Sequence, residues 1–263
     1  MPKTREEILR QLKTEEEKQF VARLLDKMRL LEKKQQSQVT DFADPHLLGV
    51  AEKILEHYGD FNWESYGGHP YAERRRILLF PDYLEVNLDV AQITLLACYG
   101  DFSSVKVTHR DFLGALLSTG IKREKLGDIW LVPQGCVAAA DREIANFLLY
   151  EPLKVKGVPL EIKELAPEQF SLPEREGKSI TTTVPSLRLD AIAAVGFGTS
   201  RTRISREISA GKIKVNWQET TKTDYLLKEG DVLSGRGRGR VLVQEISGTT
   251  HKRRIRVTLQ RFV

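Results

Sequence analysis

Apolar positions in the first third of the chain recur every three or four residues, which is the spacing of one face of an α-helix. The first stripe consists of Phe20, Leu24, Leu25, Met28 and Leu31. The second consists of Leu47, Leu48, Ala51, Ile54 and Leu55, after an Asp44-Pro45 pair typical of a helix start. We therefore predict an N-terminal helical region with two core-packed helices, the second ending near Gly59.

The segment from Phe61 to Arg76 breaks this pattern. It holds four aromatic residues, a Gly67-Gly68 pair and three consecutive arginines, Arg74 to Arg76. We predict a loop that leads into a strand. Aromatic side chains beside arginines stack on bases in some proteins and pin a connecting segment to a core in others, so the sequence leaves both roles open.

Short apolar runs then alternate with helical stripes. The predicted strands are 77–80, 93–99, 129–132, 136–140 and 158–162, and the predicted helices are 108–118, with Asp111 in a capping box, and 142–150. Without the first strand, the order is β-α-β-β-α-β, the ferredoxin-like arrangement that RNA-recognition motifs share with many other domains. The strand DIWLVPQ offers only Trp130 for base stacking, and core packing explains this residue at least as well.

Residues 166–184 are rich in Pro, Ser and Thr, which predicts a linker or an ordered crossing between modules. The charge changes at this point. From Thr181 onward there are 16 Lys or Arg against 7 Asp or Glu, whereas residues 1–180 hold 25 against 29. A basic module therefore follows a slightly acidic body, and a concentrated positive surface favours a polyanion such as nucleic acid.

The basic module has its own regular pattern. Apolar spacing predicts a first helix over 187–195 that ends near Gly196 and a turn at 198–200. A second helix follows, which Ser200 or Thr199 caps and whose core-facing residues are Ile204 and Ile208. The arginines that open the second helix lie where free backbone amides already favour an anion. Strict alternation from Lys212 to Asn216 then predicts a strand whose lysines face away from the core.

These residues resemble an S4 RNA-binding domain. The run RLDAIAAVGFGTSRTRISREISAGKIKVNW begins at Arg188 and is followed by Gly230-Asp231 and SGRGRGR, while Trp217 stands where the family often has glycine. The resemblance implies a helical hairpin and a small sheet that grip structured RNA through phosphates and shape. The implied contacts are Arg188, Ser200, Arg201, Arg203, Arg206, Lys212, Lys214, Asn216, Arg236, Arg238 and Arg240. Residues 252–256 either extend this surface or form a solvated strand face.

The body has a resemblance of its own. The runs GGHPYAERRRILLFP and THRDFLGALLSTGIKREKLGDIW, at 67–81 and 108–130, are similar to the YlmH family of bacterial S4 proteins, whose cyanobacterial and plastid members are labelled photosystem II S4 domain proteins. The family implies no known catalytic role. It implies binding to the large ribosomal subunit carrying peptidyl-tRNA, as in rescue of stalled translation, with a link to cell division in some bacteria.

We therefore expect an α+β protein in four parts. These are a helical region with an aromatic and glycine linker at 1–73, a ferredoxin-like or RNA-recognition-motif-like domain at 74–165, a linker at 166–184, and an S4 domain of the α-L type with a C-terminal strand at 185–263. The expected partners are ribosomal RNA, tRNA and the large ribosomal subunit, and a monomer is favoured.

The chain does not carry the catalytic motifs of enzymes that contain S4 domains, and this argues against catalysis. The only Arg-Leu-Asp, a pseudouridine synthase motif, ends at Asp190 inside the S4 helix, where an ion pair or a hydrogen bond at the helix end explains the aspartate. The chain lacks the His-x-Gly-His and Lys-Met-Ser-Lys-Ser motifs of tyrosyl-tRNA synthetases, a methyltransferase glycine loop and a Walker loop. The five histidines have no ligand spacing, and capping accounts for Asp111 beside His109.

We accordingly expect no catalytic residues, no metal and no cofactor. Two alternative hypotheses stay open. The first is an RNA-modifying enzyme whose site is assembled from distant residues, and the second is a photosystem or cell-division interaction factor that uses the N-terminal helices.

The compartment follows from the N-terminus and the cysteines. The first 20 residues lack the apolar core of a secretion signal, and no apolar run approaches the roughly 18–20 residues of a membrane span. Cys98 and Cys136 lack metal-site spacing, which favours buried reduced thiols over a disulfide. We expect an unprocessed, soluble, cytoplasmic protein that associates with ribosomes and does not insert into membranes.

Overall fold

The computed structural model describes residues 4–57, 61–171, 177–235, 237–249 and 254–262. The chain forms two compact units, Met1–Ser171 and Leu172–Val263. Helices of the first unit are α1 Arg5–Gln11, α2 Glu15–Lys34, α3 Pro45–Leu55, α4 His109–Leu117 and α5 Arg142–Leu148. Its strands are β1 Gln38–Val39, β2 Asn62–Tyr66, β3 Arg76–Phe80, β4 Ile93–Tyr99, β5 Leu126–Val132, β6 Gly135–Asp141, β7 Lys154–Val155, β8 Val158–Pro159 and β9 Glu161–Leu165.

The second unit contains α6 Leu189–Gly196, α7 Arg201–Ser209 and a sheet of strands. These strands are β10 Lys178–Val184, β11 Ile213–Val215, β12 Gln218–Glu219, β13 Val232–Gly235, β14 Gly239–Thr249 and β15 Ile255–Phe262.

The two N-terminal helices that the apolar spacing predicts form as α2 and α3, and a further short helix, α1, precedes them. A capping box between Thr14 and Glu17 starts α2, and the Asp44 carboxylate accepts a hydrogen bond from the Leu47 backbone N–H at the start of α3. Both stripes pack into one core with two residues of β3, Ile77 and Leu79. The helix α3 ends at Leu55, and the predicted end near Gly59 lies outside the described residues.

The prediction of a loop from Phe61 onward was wrong for its first part, which forms β2. This strand pairs antiparallel with β3 from Asn62 opposite Phe80 to Tyr66 opposite Arg76, and β1 pairs with the other edge of β3. Trp63 and Tyr66 lie on opposite faces of the sheet, because they are an odd number of residues apart on one strand. Trp63 packs against the helical core, and Tyr66 packs against a second cluster around Leu78. The boundary predicted at residues 73 and 74 falls between β2 and β3 of this sheet.

The middle of the first unit is a four-stranded antiparallel sheet in the order β5-β6-β4-β9, with α4 and α5 packed on it. This order is ferredoxin-like, as predicted. The predicted strand 158–162 is divided, because a tight turn at Lys156 and Gly157, with φ of 49° and 86°, pairs β7 with β8. The next residues, β9, pair with β4 instead.

Two further predictions are confirmed in this part. The Asp111 carboxylate accepts hydrogen bonds from the Thr108 backbone N–H at 2.8 Å and from its hydroxyl at 2.7 Å, at the start of α4. Cys98 and Cys136 are free and buried, although they stand directly opposite each other on β4 and β6. Contact with Cys98 and burial raise the pKa of Cys136, so its thiol is a poor nucleophile.

The second unit is a six-stranded sheet in the order β10-β15-β14-β13-β11-β12 that shares one core with α6 and α7. Its first strand, β10, lies in the stretch interpreted as a linker or an ordered crossing. Ile180 and Val184 turn toward the core there, and the whole strand pairs with β15. At the end of α6, a Cβ on Gly196 would lie 2.6 Å from Val241, so glycine permits the close approach of this helix to β14.

Candidate nucleic-acid interface

The helical hairpin of the second unit is built as its spacing predicts. Gly198, with φ of 61°, turns the chain after α6, and the Ser200 hydroxyl accepts a hydrogen bond from the Arg203 backbone N–H at 3.3 Å, which caps α7. Ile204 and Ile208 are fully buried. The remaining surface of α7, with three arginines, therefore faces away from the core.

Two of the predicted RNA contacts, Arg188 and Arg201, meet at one carboxylate. Arg188 donates from Nε and Nη2 to the two oxygens of Asp190 at 3.2 Å each, and Arg201 donates from Nη2 to both oxygens at 3.0 Å. Burial pushes the pKa of Asp190 upward, but the bonds from both arginines outweigh it and lower the pKa below its ordinary value. Asp190 is thus a charged ion-pair residue, the role that the sequence favours.

A second carboxylate, Glu207, joins two more predicted contacts. Arg203 donates from Nε to it at 3.3 Å, and Arg238 donates from Nε and Nη2 to its two oxygens at 2.6 Å each. The bonds from Arg238 are the main cause that lowers the pKa of Glu207. The Arg203 side chain is 71% exposed but that of Arg238 only 17%, so Arg238 presents little of its charge to a ligand.

The outer surface of α7 is shallow and open. A surface depression there is lined by Thr202, Ser205, Arg206, Ser209 and Ala210. Arg206 is exposed, and among the described residues it has no ion-pair partner. Small side chains around a free arginine let a phosphate backbone come close to the helix.

The strand that follows also matches its prediction. Ile213 and Val215 are buried, whereas Lys212 and Lys214 are exposed, and Lys214 lies 3.9 Å from Glu219. The lysines therefore share the face opposite the core.

Asn216 and Trp217 make a two-residue turn between β11 and β12, with φ of 49° and 65°. The Asn216 amide donates to Asp231 at 2.8 Å, and its oxygen accepts from the Val232 backbone N–H at 2.9 Å. Asn216 therefore fastens this turn to β13. The turn is tight although Trp217 replaces the usual glycine.

The arginine-rich hairpin lies between β13 and β14. Arg240 stands opposite Ser234 and is half-buried. Glycines at 237 and 239 adopt positive φ, as hairpin turns require. Arg236 and residues 252–253 lie outside the described residues, so the structure does not place them.

Trp130 packs in a core. It is 3% exposed, and its ring lies 5.3 Å from that of Phe170 and 5.8 Å from that of His69. These two residues come from segments outside the four strands, so the chain itself covers this surface of the middle sheet. Of the two roles left open for Trp130, the structure supports packing.

Arg74 and Arg76 hold neighbouring segments of the first unit together. Arg74 donates to the carbonyls of Phe42 and Leu126 at 3.1 and 3.2 Å. Arg76 donates to the Thr40 carbonyl at 2.6 Å and forms a buried ion pair with Asp141 at 3.1 Å.

The described residues assemble no candidate metal site. No group of three or more His, Cys, Asp or Glu residues among them could hold a metal ion. Asp111, beside His109, forms an ion pair with Lys156 at 3.2 Å in addition to its capping bonds. None of the described helices has the length and apolar character needed to cross a membrane.

Comparisons with known proteins agree with this architecture. Family models match three segments: "YlmH, N-terminal" at residues 16–84, "Putative RNA-binding domain in YlmH" at 91–169, and "S4 domain" at 187–233. A relative in Bacillus subtilis (strain 168), "Ribosome-associated protein quality control protein P2", is 30% identical over 249 residues, which cover 94% of this chain and 95% of the relative. The chain belongs to the YlmH family.

A solved structure supports the fold of this YlmH-family protein. "Cell division protein ylmH from Streptococcus pneumoniae" has a TM-score of 0.50 and 21% identity, with 59% of this chain and 94% of that chain covered. At this identity the likeness concerns the fold alone.

Glu207 is the site residue that sequence reasoning missed. Its spacing of four from Arg203 is a helix ion-pair signal that could have revealed half of the group. The other half, Arg238, is 31 residues away and is brought in only by the hairpin of β13 and β14.

Proposed function

We propose that this YlmH-family protein is a non-enzymatic binder of structured RNA. Its targets are ribosomal RNA and tRNA on the large ribosomal subunit, in the cytoplasm, and its role is in rescue of stalled translation. The observation that carries the proposal is the face of α7, where Arg201, Arg203 and Arg206 are exposed on one short helix.

The chemistry of this face suits an RNA backbone. Exposed lysines, Lys212 and Lys214, follow α7 directly, so cations extend from the helix into the sheet. Guanidinium groups bind phosphate oxygens in a fork, and such contacts do not depend on base identity. The S4 family match and the quality-control role in the relative's name support a ribosomal target.

The site favours binding over catalysis. Its two carboxylates, Asp190 and Glu207, are each bonded to two arginines, which lower the pKa of both. A carboxylate in that state is a weak base at neutral pH, because a general base works best with a pKa near the working pH.

The proposal is tested by a double variant, Arg201→Ala with Lys214→Ala. Binding to large-subunit ribosomal RNA should weaken, and the slope of log affinity against log salt should fall by up to about two units, since each lost phosphate contact removes close to one. Fluorescence anisotropy across a salt series measures both quantities.

A matched control removes two exposed cations from the first unit, Lys122→Ala with Arg142→Ala. It loses the same charge and should keep the wild-type slope. If both double variants behave alike, or if neither changes the slope, the RNA face is not on α7 and β11.

A second experiment separates binding from RNA modification. Ribosomal RNA from cells lacking the protein and from cells with it restored should have identical mass maps. A modification that appears only with the protein contradicts the non-enzymatic proposal.

A further inference from the structure

Two carboxylates in the second unit have the same surroundings. Asp190 lies between Arg188 and Arg201, and Glu207 lies between Arg203 and Arg238. Three of these arginines keep a third or more of the side chain exposed: 37% for Arg188, 50% for Arg201 and 71% for Arg203. Both carboxylates are largely hidden, with 6% and 20% of the side chain exposed.

The Asp190 carboxylate is held in place from several directions. The Asp190 backbone N–H donates a hydrogen bond to the Thr223 carbonyl at 3.0 Å, and the residue lies in the first turn of α6. It orients Arg188 by a two-bond fork and Arg201 by a shared N–H. The hydrogen bonds to Asp190 are the main cause that raises the pKa of Arg188, and the charge of Asp224 adds to it.

The Glu207 carboxylate is held by the sheet. Arg238, in the turn between β13 and β14, donates two hydrogen bonds of 2.6 Å to the carboxylate. A different rotamer of the Glu207 side chain would break both bonds. The remaining contact, from Arg203 Nε at 3.3 Å, fixes the direction of the exposed guanidinium. Arg238 therefore fixes the Glu207 carboxylate, and the carboxylate in turn orients Arg203.

We propose that Asp190 and Glu207 are positioning residues that hold Arg188, Arg201 and Arg203 ready for RNA phosphates. This inference rests on the proposed function. A free arginine loses rotamer freedom when it binds, and an arginine already held in place loses less. Each carboxylate engages only part of the guanidinium donors, which leaves N–H groups for a phosphate.

Simple electrostatics makes the opposite prediction. Removing a carboxylate from a phosphate-binding face lowers repulsion and leaves the arginines uncompensated, so affinity for RNA should rise. Positioning predicts that affinity falls although the net charge becomes more positive. The direction of the change therefore separates the two explanations.

The test compares three neutralising variants that remove the same charge. Glu207→Gln and Asp190→Asn release arginines, whereas Glu219→Gln is the control, because Glu219 is exposed and its ion pair with Lys214 is long, at 3.9 Å. Binding to large-subunit ribosomal RNA is measured over a salt series, and thermal unfolding shows which variants stay folded. Glu207→Gln is the primary variant, since Glu207 is less buried than Asp190.

We expect Glu207→Gln to bind about tenfold more weakly, with a salt slope lower by about one unit, and Glu219→Gln to bind as tightly as wild type or more tightly. Glu207→Asp, which keeps the charge, should recover part of the loss. Equal or tighter binding by folded Glu207→Gln, at an unchanged slope, overturns the inference while the proposed function stands. Weak, salt-insensitive binding by the wild-type protein overturns both.

Discussion

A group of arginines in the first unit is enclosed by the protein, whereas the arginines of α7 lie at its surface. The Arg76 side chain is 4% exposed, whereas that of Arg203 is 71% exposed. For the enclosed arginines the partners are mostly backbone carbonyls, as for Arg74 and Arg123. For Arg201 and Arg203 on α7 the partners are carboxylates, which leave part of each guanidinium open to solvent.

The difference teaches that a run of arginines is no guide to RNA binding without knowledge of burial. Burial, together with the nearby charge of Arg74, lowers the pKa of Arg123 to about 10. Burial disfavours the charged form of Arg123, and its guanidinium donates hydrogen bonds to the carbonyls of Leu126 and Gly127. The exposed arginines of α7 retain donors for a ligand.

The sharpest way to break this comparison is Arg76→Ala. It leaves Asp141 buried beside the more distant Lys125, at 3.5 Å, and removes the donor to the Thr40 carbonyl. We expect a loss of about 4 kcal/mol in the free energy of unfolding, in the range for a broken buried ion pair. Urea unfolding followed by circular dichroism measures it.

The matched variant in the second unit is Arg203→Ala, which should cost less than about 1 kcal/mol because its ion pair is exposed. RNA affinity should respond in the reverse order. If Arg203→Ala destabilises the protein as much as Arg76→Ala does, the distinction between internal and surface arginines fails.

Trp130→Ala should lower the free energy of unfolding by about 3 kcal/mol, slightly less than Arg76→Ala does, because it removes a ring from a packed cluster. A stacking platform for bases would behave otherwise, with a loss of RNA affinity and little change in stability. Unfolding and RNA-binding measurements on the same sample decide between these outcomes. Trp130→Phe, which keeps an aromatic ring beside Phe170 and His69, should recover most of the stability.

Local spacing was sufficient to predict the helices α2 to α7 and the strands β3 to β6 and β11. The stripes of α2 and α3, the cap of α4 and the alternation of β11 depend on residues within a few positions of each other, and all of them formed. The errors arose where distant pairing decides the structure. The strand β2 forms because β3 lies beside it, and Val158–Pro159 separates from β9 because it pairs back onto β7.

The candidate site divides in the same way. Exposure of Arg201, Arg203, Lys212 and Lys214 followed from helix and strand periodicity. The partners of these cations did not, because Asp190 meets Arg201 across the hairpin of α6 and α7, and Glu207 meets Arg238 across 31 residues. Sequence spacing located the charges but could not show which of them a neighbouring carboxylate holds.

Arg206→Ala sharpens the comparison with a moderate effect on RNA alone. Arg206 is exposed beside small side chains, so its loss should leave the free energy of unfolding within about 0.5 kcal/mol of wild type. RNA affinity should fall severalfold and the salt slope by about one unit. A charge-matched control in the first unit, Arg142→Ala, should change neither RNA quantity.

The smallest effect is expected from acid, through one buried carboxylate in each unit. Burial pushes the pKa of Glu17 up, but hydrogen bonds from His46 and from the backbone N–H groups of Lys13 and Thr14 outweigh it, so its pKa lies below the ordinary 4.5. The pKa of Asp190 lies below its ordinary 3.8. A depressed carboxyl pKa adds stability that is fully present above the ordinary value and is lost as pH falls through the folded value.

On acidification, protection of the first turn of α2 against amide hydrogen exchange should therefore begin to fall below about pH 4.5, and that of α6 only below about pH 3.8. Both changes should be a few-fold. Glu17→Gln and Asp190→Asn should each abolish the pH dependence in its own helix and leave the other helix unchanged. If α6 loses protection before α2 as the pH falls, Arg188 and Arg201 do not keep Asp190 charged. Asp190 could then not hold the two arginines in place.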